Sequence, residues 1–186
     1  MRKCLVALLL LFLAVIAARW GWDYWREHRF DDEIRQAAKR YELKPGLVKA
    51  VVWHESRFNP NAHGRAGELG LMQIRSVAAQ EWATAEHVPG FRHVDCLNPA
   101  TNTLAGAWYL KRVMKRYSQT DSPVAYALAD YNAGRSNLLK WKHGVAETNS
   151  AAFIGQIEFP STRRYVQLIM RQSEEYQAWF EKHPGK

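Results

Sequence analysis

Gly106, Tyr109, Leu110, Val113, Met114 and Tyr117 recur at i, i+3, i+4, i+7, i+8 and i+11. Such spacing gathers on one face of an α-helix and scatters over both faces of a strand. A stripe this long has to be covered, so the chain must fold around the helix that carries it. Asn98 can cap that helix, and Pro99 suits its first position, where a missing N–H costs nothing. Lys111, Arg112, Lys115 and Arg116 fall on the other side and read as a solvated face. The covering elements are helical too. Asp31 can cap a helix through Leu43 with Ile34, Ala37, Ala38 and Tyr41 on one face, and Pro45 opens another that ends at Glu55. Ser76 to about Glu86 reads as a helix, and Val88-Pro89-Gly90 as a turn. Ser122-Pro123 opens an Ala-rich helix over Val124 to Asn132, stopped at Gly134. Leu138 to Trp141 is a short helix, and Ala146 to Pro160 reads as irregular. Thr162 to about Phe180 is a final helix with Tyr165, Val166, Ile169, Ser173, Tyr176 and Phe180 turned inward. Strand signal is slight, so the expected fold class is mainly α.

At 186 residues the chain has room for one domain with a sizeable core plus a tail. Hydrophobic residues are 47% and charged residues 24%, a globular balance that excludes a disordered chain. The formal net charge of +8 favours a polyanionic partner: nucleic acid, anionic lipid or an acidic cell-wall polymer. The basic residues are dispersed and match no nucleic-acid module, so no nucleic-acid partner is expected. Cys4 and Cys96 lie too far apart in organisation to form a disulfide framework.

Arg2-Lys3 precede an apolar run from Cys4 to Ala18, about 15 residues, short of the ~20 that a span requires. A basic start before such a run marks an export signal. Small residues at Ala14 to Ala18 offer a cleavage site. Arg19-Trp20-Gly21-Trp22-Asp23-Tyr24-Trp25 comes next and reads as an interfacial aromatic belt. We read residues 1–26 as an uncleaved membrane anchor, with removal as a signal the alternative. Arg2 and Lys3 would stay inside, and residues 27–186 would form the domain outside. Cys4 precedes the run, unlike a lipoprotein cysteine.

The chemistry centres on the helix before Asn59-Pro60. Val48, Val51, Val52 and Glu55 share one face, so a carboxylate stands where the pattern expects an apolar residue. Burial raises the pKa of such an acid, as a general acid near neutral pH requires; the duller reading is a solvated Glu at the stripe's edge. Gln73, in Gly70-Leu71-Met72-Gln73-Ile74, is either a buried structural hydrogen-bonder or a ligand contact. His54-Glu55 is no zinc-protease motif, because Phe58 stands where a second His belongs. His63, His87, His93 and Cys96 lack metal-ligand spacing, and no metal or cofactor is expected.

Four motifs in order carry a resemblance: Glu55-Ser56-x-Phe58-Asn59-Pro60, then Gly70-Leu71-Met72-Gln73-Ile74, then Ala127-Leu128-Ala129-x-Tyr131-Asn132-Ala133-Gly134, then Pro160-x-Thr162-Arg163-x-Tyr165-Val166. Together with Asn98-Pro99, Asn102, Gly106, Tyr109 and Leu110, they resemble the soluble lytic transglycosylase family of peptidoglycan-cleaving enzymes, over roughly Ile34 to Met170. The resemblance implies a lysozyme-like helical domain with Glu55 as its one catalytic acid and base. It implies cleavage between N-acetylmuramic acid and N-acetylglucosamine without water, leaving 1,6-anhydro ends. Met72 and Gln73 would line sugar subsites, and Tyr131 and Asn132 would face the acid, Tyr131 positioning Glu55 or the substrate. Ser56 lies beside the acid as a further supporting candidate. Three positions depart from the family. Ser161 stands where it usually has a supporting Glu, a role Glu158 could take. Gly64 replaces a substrate-contacting Ser. Asp130 replaces a small residue; it either points into the cleft, where it could activate water, or faces solvent, and we read it as facing solvent. The alternatives on the same fold are a hydrolysing muramidase of goose-lysozyme type and a weakly catalytic wall-binding or assembly factor. Expected partners are glycan strands, the inner membrane and a cell-envelope secretion or pilus assembly; the expected location is the periplasmic side of that membrane.

Overall fold

The computed structural model describes residues 2–185. Among them nine α-helices succeed one another: α1 Arg2–His28, α2 Asp31–Arg40, α3 Pro45–Ser56, α4 Ser76–Ala85, α5 Pro99–Lys115, α6 Pro123–Ala133, α7 Arg135–Trp141, α8 Ser150–Gln156 and α9 Pro160–Lys182. The only β-pairing among the described residues is two isolated bridges, His63 with Leu69 and Leu69 with Ile74, inside the loop after α3. The mainly α expectation holds.

The stripe on α5 is where the sequence places it. Gly106, Leu110, Val113 and Tyr117 are buried and Tyr109 and Met114 half-buried, and Asn98 caps the helix by accepting the Thr101 N–H at 3.1 Å. Helix α2 packs on α5, α6 packs on α5 and α9, and α3 lies along α9. Gly46 permits that last contact. A Cβ there would sit 2.3 Å from the Ser173 carbonyl oxygen and 2.5 Å from the Gln177 nitrogen, both backbone atoms that cannot yield.

The sequence reading needs correction at three places. Helix α2 ends at Arg40, and Asp31 is its first residue and no cap; its N-cap, Phe30, makes no side-chain bond to the helix. Asp31 is instead buried against Lys49, with carboxylate and ammonium 2.7 Å apart. The stretch from about Glu27 to Asp31, which by sequence reads as a short linker into the domain, is only a turn, Arg29-Phe30, since α1 runs on to His28. The stretch expected to be irregular holds α8, whose cap is the Asn149 side chain accepting the Ala152 N–H at 2.9 Å.

Helix α1 leaves its apolar side chains in the open. Leu8 to Leu13 and Val15 are each more than half exposed, as are Trp20 and Trp22. It is the one helix among the described residues long and apolar enough to cross a membrane. Its last turn, though, is docked. The His28 ring lies 4.2 Å from the Trp179 ring, centroid to centroid. Lys49 is fully buried among Phe58, Tyr176, Trp179 and Phe180, and its ammonium reaches His28 Nδ1 at 3.0 Å as well as Asp31. Burial pushes the Lys49 ammonium below the ordinary lysine range, and Asp31 opposes that fall.

A buried charge whose partner is deleted costs about 3–5 kcal/mol. Lys49→Met keeps most of the volume and strands Asp31, so it should destabilise the chain by about 3 kcal/mol. Adding Asp31→Asn should restore part of that loss. Denaturant unfolding of the detergent-solubilised chain measures both; an unchanged midpoint in Lys49→Met would show that the pair contributes nothing.

Candidate active site

Glu55 sits on the last turn of α3, and the turn after it fixes it there. Arg57 and Phe58 are both left-handed, at φ 54° and 60°. That turn ends the helix and drives Phe58 into the core, where it is 1% exposed. Two consecutive non-Gly residues in this conformation cost free energy that the buried ring repays. The Arg29 guanidinium donates to the Phe58 carbonyl at 2.7 Å and braces the turn.

The Glu55 carboxyl opens into a cleft of about 450 Å³ that also meets Glu68, Gln73, Arg75, Tyr109 and Tyr131. Tyr165, from α9, donates its O–H to Glu55 Oε1 at 2.6 Å. Burial pushes the Glu55 pKa up to about 7, the Tyr165 bond pulls it down, and the Glu68 charge pushes it up. Desolvation wins, so the carboxyl holds its proton far more readily than a solvated glutamate does. Tyr165 is buried and its own acidity is strongly suppressed, which keeps it a donor.

The predicted site residues separate into three groups. Glu55, Gln73, Asp130, Tyr131 and Asn132 line the cleft. Gln73 combines both readings offered for it: its Nε2 donates to the Ala62 and Gly70 carbonyls at 3.1 and 2.8 Å, while the residue still borders the cleft. Tyr131 does not bond Glu55; its O–H donates to the Met72 carbonyl at 2.7 Å. Asn132 accepts the Thr162 O–H at 2.8 Å, tying the end of α6 to the start of α9.

Met72 needs correcting as a subsite residue. It is 0% exposed, and its side chain fills the space above Gly106, where a Cβ would meet its sulfur at 2.3 Å. Its backbone N–H is held by Asn102 Oδ1 at 2.7 Å, so the residue is a support beneath the cleft. Asp130 also differs from its reading as solvent-facing. It is 4% exposed, accepts the Tyr117 O–H at 2.7 Å, and pairs with Arg116 at 3.3 Å. Ser56 is buried and bonds back to the Val52 carbonyl, which serves the helix and not the cleft. Ser161 and Glu158 are exposed and do not border the cleft, so Glu158 does not take the supporting part.

Sequence reasoning missed Tyr165 as the partner of Glu55, and it missed Glu68 and Arg75. Tyr165 stood in the last motif, on the inward face of its helix, and those two facts together were the available signal. Glu68 lies in a polar loop, where a carboxylate carries no periodic signal.

This helical core, with one acid held at a helix end over a cleft, is a lysozyme-like domain. The Transglycosylase SLT domain family matches residues 32–154, and the chain belongs to that family. It is 32% identical over 114 residues to membrane-bound lytic murein transglycosylase F of Desulfosudis oleivorans, covering 60% of this chain and 23% of that protein. Its fold is similar to the 70 kDa soluble lytic transglycosylase Slt70 of Escherichia coli, with TM-score 0.72 and 27% identity over 83% of this chain and 26% of that one. It is similar too to an inactive glutamate-to-glutamine mutant of lytic transglycosylase Slt from Pseudomonas aeruginosa, with TM-score 0.73 and 25% identity over 81% of this chain and 24% of that one. The chain thus spans about a quarter of the length of these relatives.

A carboxyl with pKa about 7 when folded and 4.5 otherwise binds more protons in the native state between those values. Its contribution to stability is full below pH 4.5 and is lost as pH rises through 7. Glu55→Gln cannot ionise and escapes that loss. Its stability relative to the native chain should therefore climb across this window, by a few kcal/mol at about 1.4 kcal/mol per pKa unit. Melting temperatures of the two chains from pH 4 to 9 test this; a constant difference would mean that Glu55 titrates normally.

Proposed function

We propose that the chain is a lytic transglycosylase of peptidoglycan, held in the inner membrane by α1 with its helical domain in the periplasm. The observation that carries this reading is the Glu55 carboxyl: set in a cleft, bonded by one phenol, and tuned by burial to share its proton near neutral pH. A general acid works best when its pKa lies near the working pH. Family membership supports the substrate class. Loss of activity on replacing a glutamate by glutamine in the Pseudomonas aeruginosa relative supports giving a carboxyl the central part. The net charge of +8 suits a polymer that carries lactyl and peptide carboxylates.

Protonated Glu55 gives its proton to the glycosidic oxygen as the bond from muramyl C1 breaks. Positive charge then grows at C1, beside a carboxylate that has just become negative. The C6 hydroxyl of the same muramyl ring attacks C1, and Glu55 takes the hydroxyl proton. The products are a 1,6-anhydro-muramyl end and a free glucosaminyl hydroxyl, with no water consumed. An internal nucleophile gains the orientation advantage of an intramolecular reaction and removes the need for a second carboxylate as base or nucleophile. Asp130 is poorly suited to activate a water, since Tyr117 and Arg116 occupy its carboxylate. Tyr165 holds the Glu55 carboxylate in place through both steps.

Location at the membrane is supported by the exposed apolar length of α1 and by membrane-bound proteins among the relatives. Arg2 and Lys3 would remain on the cytoplasmic side.

Glu55→Gln should lower glycan cleavage by roughly 10²–10⁴-fold, the usual worth of a positioned acid, while the chain stays folded. Turnover at the native rate would remove Glu55 from the mechanism. Mass spectrometry of digested peptidoglycan should find ends lighter by one water than reducing ends. Reducing ends alone would make the protein a muramidase, and an intact polymer would make it a binding factor.

A further inference from the structure

Gly64 lies in the loop between α3 and the cleft, and its backbone is of a kind that any residue can adopt. A side chain there would have to displace its neighbours. A Cβ on Gly64 would lie 2.2 Å from Glu68 Oε2 and 2.9 Å from Gln73 Oε1. The missing side chain leaves room for these two oxygens, whose residues line the cleft beside Glu55.

Both oxygens are acceptors. The Gln73 amide has its orientation fixed, because its Nε2 sits on two backbone carbonyls, so Oε1 is the atom left to accept. The Glu68 carboxylate uses Oε2 to accept the Ala66 N–H at 2.9 Å. Its Oε1 has only Arg75 nearby, at 3.9 Å, beyond hydrogen-bond reach. Glu68 Oε2 and Gln73 Oε1 thus converge over Gly64, and the carboxylate's other oxygen, Oε1, receives no hydrogen bond among the described residues. Sugar units of a peptidoglycan strand bring suitable donors: ring hydroxyls and acetamido N–H groups.

We propose that Glu68 is a second carboxylate of the site, whose Oε1 accepts a hydrogen bond from the sugar unit lying beside Gln73. The inference rests on the proposed glycan-cleaving activity and adds a specificity residue to it. Glu68 discriminates by requiring a donor on the sugar, since an acceptor covered by substrate and left unanswered is costly. It has a second effect through charge. The ionisable groups around the Glu55 cleft are Tyr165 from α9, Tyr131 and Asp130 from α6, Tyr109 from α5, and Glu68 and Arg75 from the loop; Asp130 is taken up by Tyr117 and Arg116, and the charge that bears on Glu55 is that of Glu68. Its charge opposes ionisation of Glu55 and keeps the acid loaded.

The test uses the full detergent-solubilised chain and a soluble oligosaccharide of alternating N-acetylglucosamine and N-acetylmuramic acid. Glu68→Ala should raise KM about tenfold, the effect of losing a hydrogen bond to a charged acceptor. Glu68→Gln keeps the volume and can still accept from Ala66, so its KM should rise less. In both variants the alkaline limb of kcat/KM should move to lower pH, because the charge that holds the Glu55 proton is gone. Gly64→Ala should raise KM as Glu68→Ala does, and the double variant should be no worse than either alone, since both remove one arrangement. Native KM with an unmoved limb in both Glu68 variants overturns the proposal, and additive losses in the double variant overturn the shared space. If the native chain cleaves no glycan, the activity fails and not yet this inference. Calorimetry with the same oligosaccharide then decides: weaker binding by Glu68→Ala supports it, and equal Kd refutes it.

Discussion

The close crossing of α3 and α9 sets everything at the site. Gly46 lets the two backbones touch at one end of the crossing, and its N–H meets Gln177 Oε1 at 3.2 Å. Farther along α3, His54 pairs with Gln172 at 2.8 Å, and Glu55 meets Tyr165 one residue on. The acid therefore takes its position from a helix that lies 110 residues away in the chain. Separate the helices by the width of a methyl group and the phenol no longer reaches the carboxyl. Packing at the far end of α3 is thus a condition of chemistry at the near end.

The floor of the cleft depends on one buried amide. Asn102 is fully buried on α5, and it spends its side chain on three backbone groups: the Met72 N–H and the Leu69 and Cys96 carbonyls. Those bonds hold the turn from Gly70 to Gln73 against α5. Tyr131 then closes on the Met72 carbonyl from α6. The cleft wall is accordingly a loop with its polar groups answered by fixed helices, which is how a segment almost without β-pairing keeps its shape.

The helical framework was legible because its signals are local. Proline at the first turn and Asn or Gly at the ends mark α3, α5 and α6, and the stripe on α5 carries its period openly. Glu55 was legible for a related reason, as an acid breaking an apolar pattern. Asp130 and Asp31 were misread because a charge in sequence gives no sign of its distant partner. Asp130 goes inward to meet Tyr117, and Asp31 meets Lys49 within an aromatic surround. Met72 misled in the other direction: a motif residue in a cleft-forming loop turned out to pack downward, over the bare backbone of Gly106. Glu68 was invisible because the space it needs comes from a side chain absent at Gly64.

The Arg29 bond to the Phe58 carbonyl has a mechanical meaning. Helix α1 does not trail away from the domain as a leash. Its end is bolted to α9 by His28 and to the turn after Glu55 by Arg29. Were α1 upright in a bilayer, as proposed, the cleft would stand at a set height and heading above the lipid, like a blade clamped in a lathe. On the proposed function, only strands passing through that one plane would come under the edge, so the geometry of the surrounding wall, more than diffusion of the domain, would decide what is cut.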